Sequence, residues 1–369
     1  MNRKKDVFTA IFAGTAMMIM ILDTPTALSC AAEGINLCIA TVIPSLFPFF
    51  VLTSLLTASL SSFRFRFLRP LGILCRLPEG CESLFVLGLL GGYPTGAQNV
   101  AQKYAAKELS ARDAERLMGF CSNAGPAFIF GIAASAFPDP VYGWALWGIH
   151  IVCAVLTGIL LSGKAQRKGT LSKGNAMTLP QALHAGIRNI SAVCGWIILF
   201  RIIIGFLTKW FLFHLPDALQ TALCGFIELS IGCSSLNRID NIGLRFVVCA
   251  TALGFGGLCV LMQTVSVSER LGIGAYIPGK LLHGALSFQL AYQGQYFLLQ
   301  EEQRFLLPPW AIFSLWFCLF AVKITVAFGR IMVYNSDKSR NKRSCLCCFA
   351  KISQRPATTA SMAPATKRG

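Results

Sequence analysis

The sequence predicts an all-α polytopic membrane protein: two related halves of inverted topology, with re-entrant hairpins and broken helices. Three observations lead there. Of 369 residues, 54% are hydrophobic and 13% charged, with a mean hydropathy of +0.60, whereas soluble domains carry about 25% charge. Apolar stretches near the roughly 20 residues that a helix needs to cross a bilayer recur, most clearly at 7–22, 43–60, 141–161, 190–207, 246–265 and 310–333. Both halves also contain apolar segments interrupted by glycine-bearing turns at corresponding places. About eight to ten spans or re-entrant segments follow from this pattern.

The first span begins after Arg3, Lys4 and Lys5. "ALSC" at Cys30 imitates a cleavage site, but Asp23 and Pro25 interrupt the apolar core and Leu28 and Ser29 fit a lipoprotein site poorly. An uncleaved span is expected. The run 63–76, with Arg64, Arg66, Arg69 and Arg76, prefers the cytoplasmic side. So do the N-terminus, the middle loop with Lys164, Arg167, Lys168 and Lys173, and the tail with Lys338, Arg340, Lys342, Arg343, Lys351 and Arg355. The net charge of +17 is thereby a topology signal. It does not describe a basic domain with interleaved aromatics, so the expected partners are the lipid bilayer and a small-molecule substrate, not nucleic acid. The units are a first membrane half (1–161), a basic cytoplasmic linker (162–178), a second membrane half (179–334) and a basic disordered tail (335–369).

In the first half the apolar run from Ser83 stops at "GGYPTGA", 91–97. Gly92 and Gly96 allow close backbone approach, Pro94 lacks an N–H, and Thr95 next to Tyr93 offers a hydroxyl that can donate and accept. A capped helix end is the plainer reading of Thr95. The pattern predicts a hairpin: a helix entering to Gly92, a polar arm from Ala97 to about Glu108, then a helix from Ser110, whose spacing to Asp113 is an N-cap signal. The arm's Lys103, Lys107, Glu108, Arg112, Asp113, Glu115 and Arg116 are expected near the membrane surface. A surface loop between two ordinary spans is the alternative, and it leaves the second half unexplained.

The second break is "CSNAGPAF", 121–128, with Ser122, Asn123, Gly125 and Pro126. The residue before a proline is biased away from helix, and the Asn123 amide suits either a polar solute or helix-to-helix bonding. In the second half the counterparts are "GFIELSIGC", 225–233, with Glu228 and Ser230, and "GFGGLCVLMQ", 254–263, with Gly256, Gly257 and Gln263. A charge at bilayer centre costs about 2.5 to 3.5 kcal/mol on insertion scales. Proton or cation coupling, a substrate's positive group or a basic partner such as Arg201 would offset that cost for Glu228; a position near the interface would avoid it. Unpaired backbone groups cost several kcal/mol in hydrocarbon, so a break persists only when buried in protein or lining a wet cavity. Its free N–H and C=O ends attract anions and cations respectively.

Many of the fifteen cysteines fall in apolar runs and read as reduced core residues. The cluster Cys345, Cys347 and Cys348 is open to acylation or metal binding, but no second ligand pair supports a metal. His150, His184, His214 and His283 show no metal-ligand spacing and read as packing residues. The chain has no G-x-x-x-x-G-K-[ST], H-E-x-x-H or G-x-S-x-G. No enzymatic activity, metal or cofactor is expected.

Together "GLLGGYPTGAQNV", "FCSNAGPAFIFG", "GFIELSIGC", "GFGGLCVLMQ" and the early "VIPSLFPFFVLTSLL" resemble the YlbJ-like sporulation integral membrane proteins, which contain the nucleoside recognition or Gate domain. The similarity spans about residues 28–280. It implies a multi-pass protein of endospore-forming bacteria, in the cell membrane or a forespore membrane. Its Gate repeats would be similar to those of concentrative nucleoside transporters and the ferrous iron permease, here without a GTPase domain. The Gate-like positions carried over are 92–96, 122–126, 228–232 and 254–263. The family is linked to movement of dipicolinate into the spore. The expected function is therefore a secondary permease for a small polar or anionic metabolite, with dipicolinate favoured. Helix N-termini at the breaks would cradle carboxylates, Asn123, Thr95 and Gln263 would hydrogen-bond them, and Glu228 would couple an ion or gate. The alternatives are a non-transporting scaffold or signalling protein of spore assembly and a nucleoside-type transporter. Oligomeric state is left open.

Overall fold

A computed structural model describes residues 3–60, 66–78, 80–161, 163, 177–268 and 271–306. The expected span at 310–333, the cysteine cluster at 345–348, the basic tail and nearly all of the linker lie outside the described residues, as does Arg64. Among the described residues every regular element is helical, and five stretches are long and apolar enough to cross a membrane. This is a multi-pass α-helical membrane protein.

Helix α1 (Arg3–Leu22) presents Phe8, Ile11, Phe12, Met17 and Ile21 outward, an apolar exterior that suits lipid. Asp23 then caps α2 (Thr24–Leu37), accepting from the Thr26 N–H at 3.4 Å, with Pro25 in the first turn. The sequence expected a span at 43–60 alone. Instead α2 continues through a π-turn at Cys38–Val42 into α3 (Ile43–Leu60), giving one apolar helix over Thr24–Leu60. Neither Pro44 at the start of α3 nor Pro48 within it ends the helix, because the π-turn and the packed neighbours absorb the lost N–H donors.

A short α4 (Arg69–Leu74) leads into the interrupted region. There α5 (Glu82–Gly91), α6 (Thr95–Ala105), α7 (Ala111–Cys121) and a short α8 (Pro126–Phe128), extended by looser turns to Ala136, precede the apolar α9 (Val141–Leu160). After the linker, α10 (Leu179–Trp210) begins with a reciprocal capping box between Thr178 and Gln181. The order then recurs: α11 (Asp217–Ile227) and α12 (Leu229–Ser234), α13 (Ile242–Phe255) and α14 (Gly257–Ser268), and the long α15 (Tyr276–Leu298). Each half thus reads helix, break, helix, helix, break, helix, long helix. The expected apolar stretch at 246–265 lies within Ile242–Ser268 and is interrupted at Gly256, inside the break expected at 254–263.

Side-chain pairings fix which ends lie together. The α2–α3 helix and α10 run antiparallel: Gly34 lies against Ile198 and Arg201, Gly205 against Cys30, and Gly186 against Val51. At one end Arg116 donates to the Cys75 and Arg76 carbonyls (2.9 and 2.8 Å), and Glu115 accepts from the Gly272 N–H (2.9 Å). This end holds Arg69, Arg76, Lys103 and Lys107 and adjoins both sides of the basic linker; it is called the cytoplasmic end because that is the side on which such basic segments are expected. The opposite end pairs Lys209 with Asp23 at 2.6 Å and Arg245 with the Ala136 carbonyl at 2.7 Å. Trp144 and Trp210 lie exposed there, as interfacial aromatics do. The α5–α6 hairpin therefore enters from the cytoplasmic end and the α11–α12 hairpin from the outer end.

The polar arm differs from expectation. Expected near the membrane surface, its Glu108, Asp113, Glu115 and Arg116 are buried within the protein. Lys103 pairs with Glu108 at 2.6 Å and Arg116 with Asp113 at 3.4 Å. Alanine-rich, charge-bearing sequence reads as a solvated helix; here α7 is instead surrounded, and its charges are matched internally. Ser110 does cap α7, accepting from the Asp113 N–H at 3.1 Å. All eleven described cysteines are free thiols.

Two measurements check this arrangement. Single cysteines at Arg76 and Lys107, in a background without exposed thiols, should label from the cytoplasmic side, and cysteines at Asp139 and Asn237 from the outer side only. At the outer end, Lys209 holds the Asp23 carboxyl below its ordinary range, so the pair's contribution is present above that range and lost on acidification. Asp23→Asn should therefore lower the melting temperature in detergent near pH 7, and by progressively less as the pH falls through the depressed carboxyl range.

Candidate functional site

The four breaks meet in the middle of the bundle. Gly92, which ends α5 with φ +71°, lies against Gly125, and a Cβ built on either residue would come about 3.0 to 3.1 Å from the other's backbone. That joins the first break to the second. The end of α7 wedges between α5 and α6, since a Cβ on Gly88 or Gly96 would overlap the Cys121 carbonyl. Gly256 ends α13 in the left-handed region (φ +86°), which only glycine adopts without strain, and Gly257 follows with φ +84°. A Cβ on Gly256 would meet the Tyr93 hydroxyl at 3.1 Å, and one on Gly257 would meet the Gly225 and Ile227 carbonyls at 3.3 and 3.4 Å. The fourth break thereby touches the first on one side and the third on the other.

Tyr93 is the hub of this junction. Its hydroxyl donates to the Leu253 carbonyl at 3.3 Å and accepts from the Lys280 ammonium at 3.0 Å. Lys280, on α15, also donates to the Ser122 carbonyl at the end of α7, where a helix C-terminus offers partial negative charge. Its Nζ lies 4.9 Å from the centre of the Tyr93 ring and 6.0 Å from that of Tyr276. Beside them the imidazoles of His150 and His283 lie with centroids 4.5 Å apart and planes tilted by 34°, and His150 Nε2 accepts the Ala124 N–H at 3.0 Å. One histidine comes from each long helix, α9 and α15.

Pro94 and Thr95 open α6; the Thr95 Oγ1 is buried with no hydrogen-bond partner. Asn123 donates from Nδ2 to the Phe120 carbonyl at 2.8 Å, capping its own helix, while its Oδ1 lacks a partner. Pro126 starts α8. Glu228 is fully enclosed and caps α12, its Oε2 accepting the Ile231 N–H at 2.7 Å with Ser230 alongside. The basic partner suggested by the sequence is not there. Arg201 pairs instead with Glu33, because the two face each other across the α2–α10 interface. Gln263 lies six residues into α14, about 9 Å along the helix axis from its start, and donates to the Cys259 sulfur at 3.4 Å. The structure therefore brings Gly92, Tyr93, Ser122, Gly125 and Gly256 together, sets Glu228, Ser230 and Gly257 on the far side of the fourth break, and leaves Gln263 apart.

Sequence reasoning missed Lys280, His150, His283 and Tyr276. The signal was present for Lys280 and His283, since "YIPGKLLHGALSF" places a lysine and a histidine three apart in an apolar helix. The cost argument that singled out Glu228 applies to them equally.

The chain is 25% identical to the sporulation integral membrane protein YlbJ of Bacillus subtilis (strain 168), over 65% of this chain and 70% of that protein. No family model matches the chain, and no solved structure does. The space beside the first break, walled by Phe50, Tyr93, Gly125 and Phe128, is about 30 Å³, room for about one water. Larger clefts open at the two ends. One of about 690 Å³, lined by Gln98, Gln102, Lys107 and Ser268, flanks the cytoplasmic hairpin. Another of about 310 Å³, lined by Arg201, Gln220, Ser234 and Arg238, flanks the outer one.

Removing the Glu228 cap leaves the first N–H groups of α12 without a partner in a dry setting. Glu228→Ala should cost about 1 to 3 kcal/mol of stability, and Glu228→Gln, which keeps an acceptor oxygen, clearly less. Thermal unfolding in detergent reads the difference.

Proposed function

We propose that this protein is a secondary permease for a small polar or anionic metabolite. The observation that carries the reading is the convergence of four helix breaks at mid-bundle, with a polar and charged lining, between clefts that open at opposite ends. Broken backbone at that depth needs either protein or a solute to satisfy it, and breaks at corresponding positions of two halves are where transporters bind. Each cleft is walled by one re-entrant hairpin, so rocking the hairpins against α9, α10 and α15 would open the centre to one side at a time. The closed centre is then the occluded form.

The substrate we favour is dipicolinate, the solute that the family resemblance implies, carried during endospore formation across the cell membrane or a forespore membrane. A nucleoside-type solute is the alternative cargo. Asn123 and Thr95, each with an unpartnered oxygen, are the hydrogen-bonding candidates, and Glu228 at the start of α12 is the gating or coupling candidate. The chain would act as a transporter without catalysis or a cofactor. One specific observation favours a second reading, a non-transporting scaffold of spore assembly: the breaks pack closely, glycine against glycine, with only about 30 Å³ beside the first.

Uptake into proteoliposomes separates the readings. Labelled dipicolinate should accumulate in vesicles containing the protein, uridine less, and Asn123→Ala and Glu228→Gln should each lower the initial rate about tenfold, the scale of one lost hydrogen bond to a charged group. If neither solute moves, while both variants still support sporulation in cells, the scaffold reading replaces the permease.

A further inference from the structure

Lys280 is 2% exposed, one turn into α15, and no carboxylate lies within 4 Å of its ammonium among the described residues. A buried cation without a counter-ion is strongly disfavoured, more so in a membrane interior. An ammonium has three N–H donors, and two are spent, on the Tyr93 hydroxyl and the Ser122 carbonyl. The other titratable groups around it are His150 and His283 on α9 and α15, Tyr93 at the first break, Tyr276 one turn earlier on α15 and Cys121 at the end of α7. None supplies a ready negative charge. Glu228 is committed elsewhere, to the N–H groups that open α12.

The same junction concentrates buried polar atoms with no hydrogen-bond partner. They include the hydroxyls of Ser122, Thr264 and Tyr276, which face one another without closing a well-formed bond, and both ring nitrogens of His283. Each of these residues is 2% exposed or less. Such atoms are rare in native interiors and ask for an explanation.

We infer that the Lys280 ammonium, held by Tyr93 and Ser122 at the crossing of the first, second and fourth breaks, is the group that binds the negative charge of the substrate and sets selectivity for an anion. A cation would be repelled there, and a neutral solute would leave the ammonium uncompensated. A carboxylate would take the third N–H and accept from the free hydroxyls at the same time, which satisfies both deficits. Tyr93 and the Ser122 carbonyl are positioning groups, because they aim the ammonium without needing to touch the anion. This rests on the permease reading for the fate of the anion, and not for its binding.

The test uses the full chain in detergent, with calorimetric titration of dipicolinate, citrate and succinate, and of pyridine-2,6-dicarboxamide as a neutral match to the first. The unmutated protein should bind at least one of the acids, and dipicolinate about tenfold or more tighter than the diamide, the scale of a charge-assisted hydrogen bond. Lys280→Arg should keep an acid preference, and Lys280→Gln and Lys280→Met should abolish it. The inference is overturned if the unmutated protein binds none of the acids, if it binds acid and diamide alike, or if Lys280→Gln binds the acid as tightly as the parent. The acid-against-diamide comparison needs no variant, so it decides even if substitutions at Lys280 fail to fold. Lys280-dependent binding without uptake into proteoliposomes would remove the permease reading and leave the anion site standing. Uptake that is unaffected by Lys280→Gln would do the reverse.

Discussion

The constraint on which the structure depends is that a backbone cut in a medium without water must be repaired by protein. Four times the chain interrupts a helix at membrane depth, and each interruption releases N–H groups on one side and C=O groups on the other. The solution is to bring the cuts together. Gly92 meets Gly125, Gly256 meets Tyr93, and Gly257 meets the carbonyls at the end of α11. Side chains finish the repair: His150 takes the Ala124 N–H, Glu228 takes the Ile231 N–H, and Lys280 takes the Ser122 carbonyl.

That repair explains why polar and charged residues are tolerated at the centre of so apolar a protein. Glu228 sits at the positive end of a short helix and Lys280 at the negative end of a longer one, so each charge meets a helix end of opposite sign. The two are not an ion pair. They are separate repairs on either side of the fourth break, which leaves the junction polar without being neutralised from within. The two adjoining histidines, one from each half, lie beside Lys280 in the same interior.

The hairpins give this centre two approaches. Because α5–α6 enters from the cytoplasmic end and α11–α12 from the outer end, each end has a cleft walled by one hairpin, and the breaks close the path between them. Beside the cytoplasmic hairpin the buried charges are paired locally, Lys103 with Glu108 and Arg116 with Asp113. Arg116 also ties α7 to the stretch after α4 through the Cys75 and Arg76 carbonyls.

The sequence by itself determined the class, the four breaks and the hairpin with its Ser110 cap, because these depend on local properties: apolar length, glycine and proline placement, and a side chain that reaches three residues ahead. Only the tertiary structure decided what the breaks face. Arg201 was a reasonable partner for Glu228 by charge alone, yet it lies across α10 from Glu33, and no sequence rule carries that distance. Charged residues of α7 read as a solvated face and turned out to be enclosed, because burial of a helix depends on its neighbours and not on its own composition. Lys280 became visible as the centre of the site only when α15 was laid against Tyr93 and Ser122, 187 and 158 residues away in the chain.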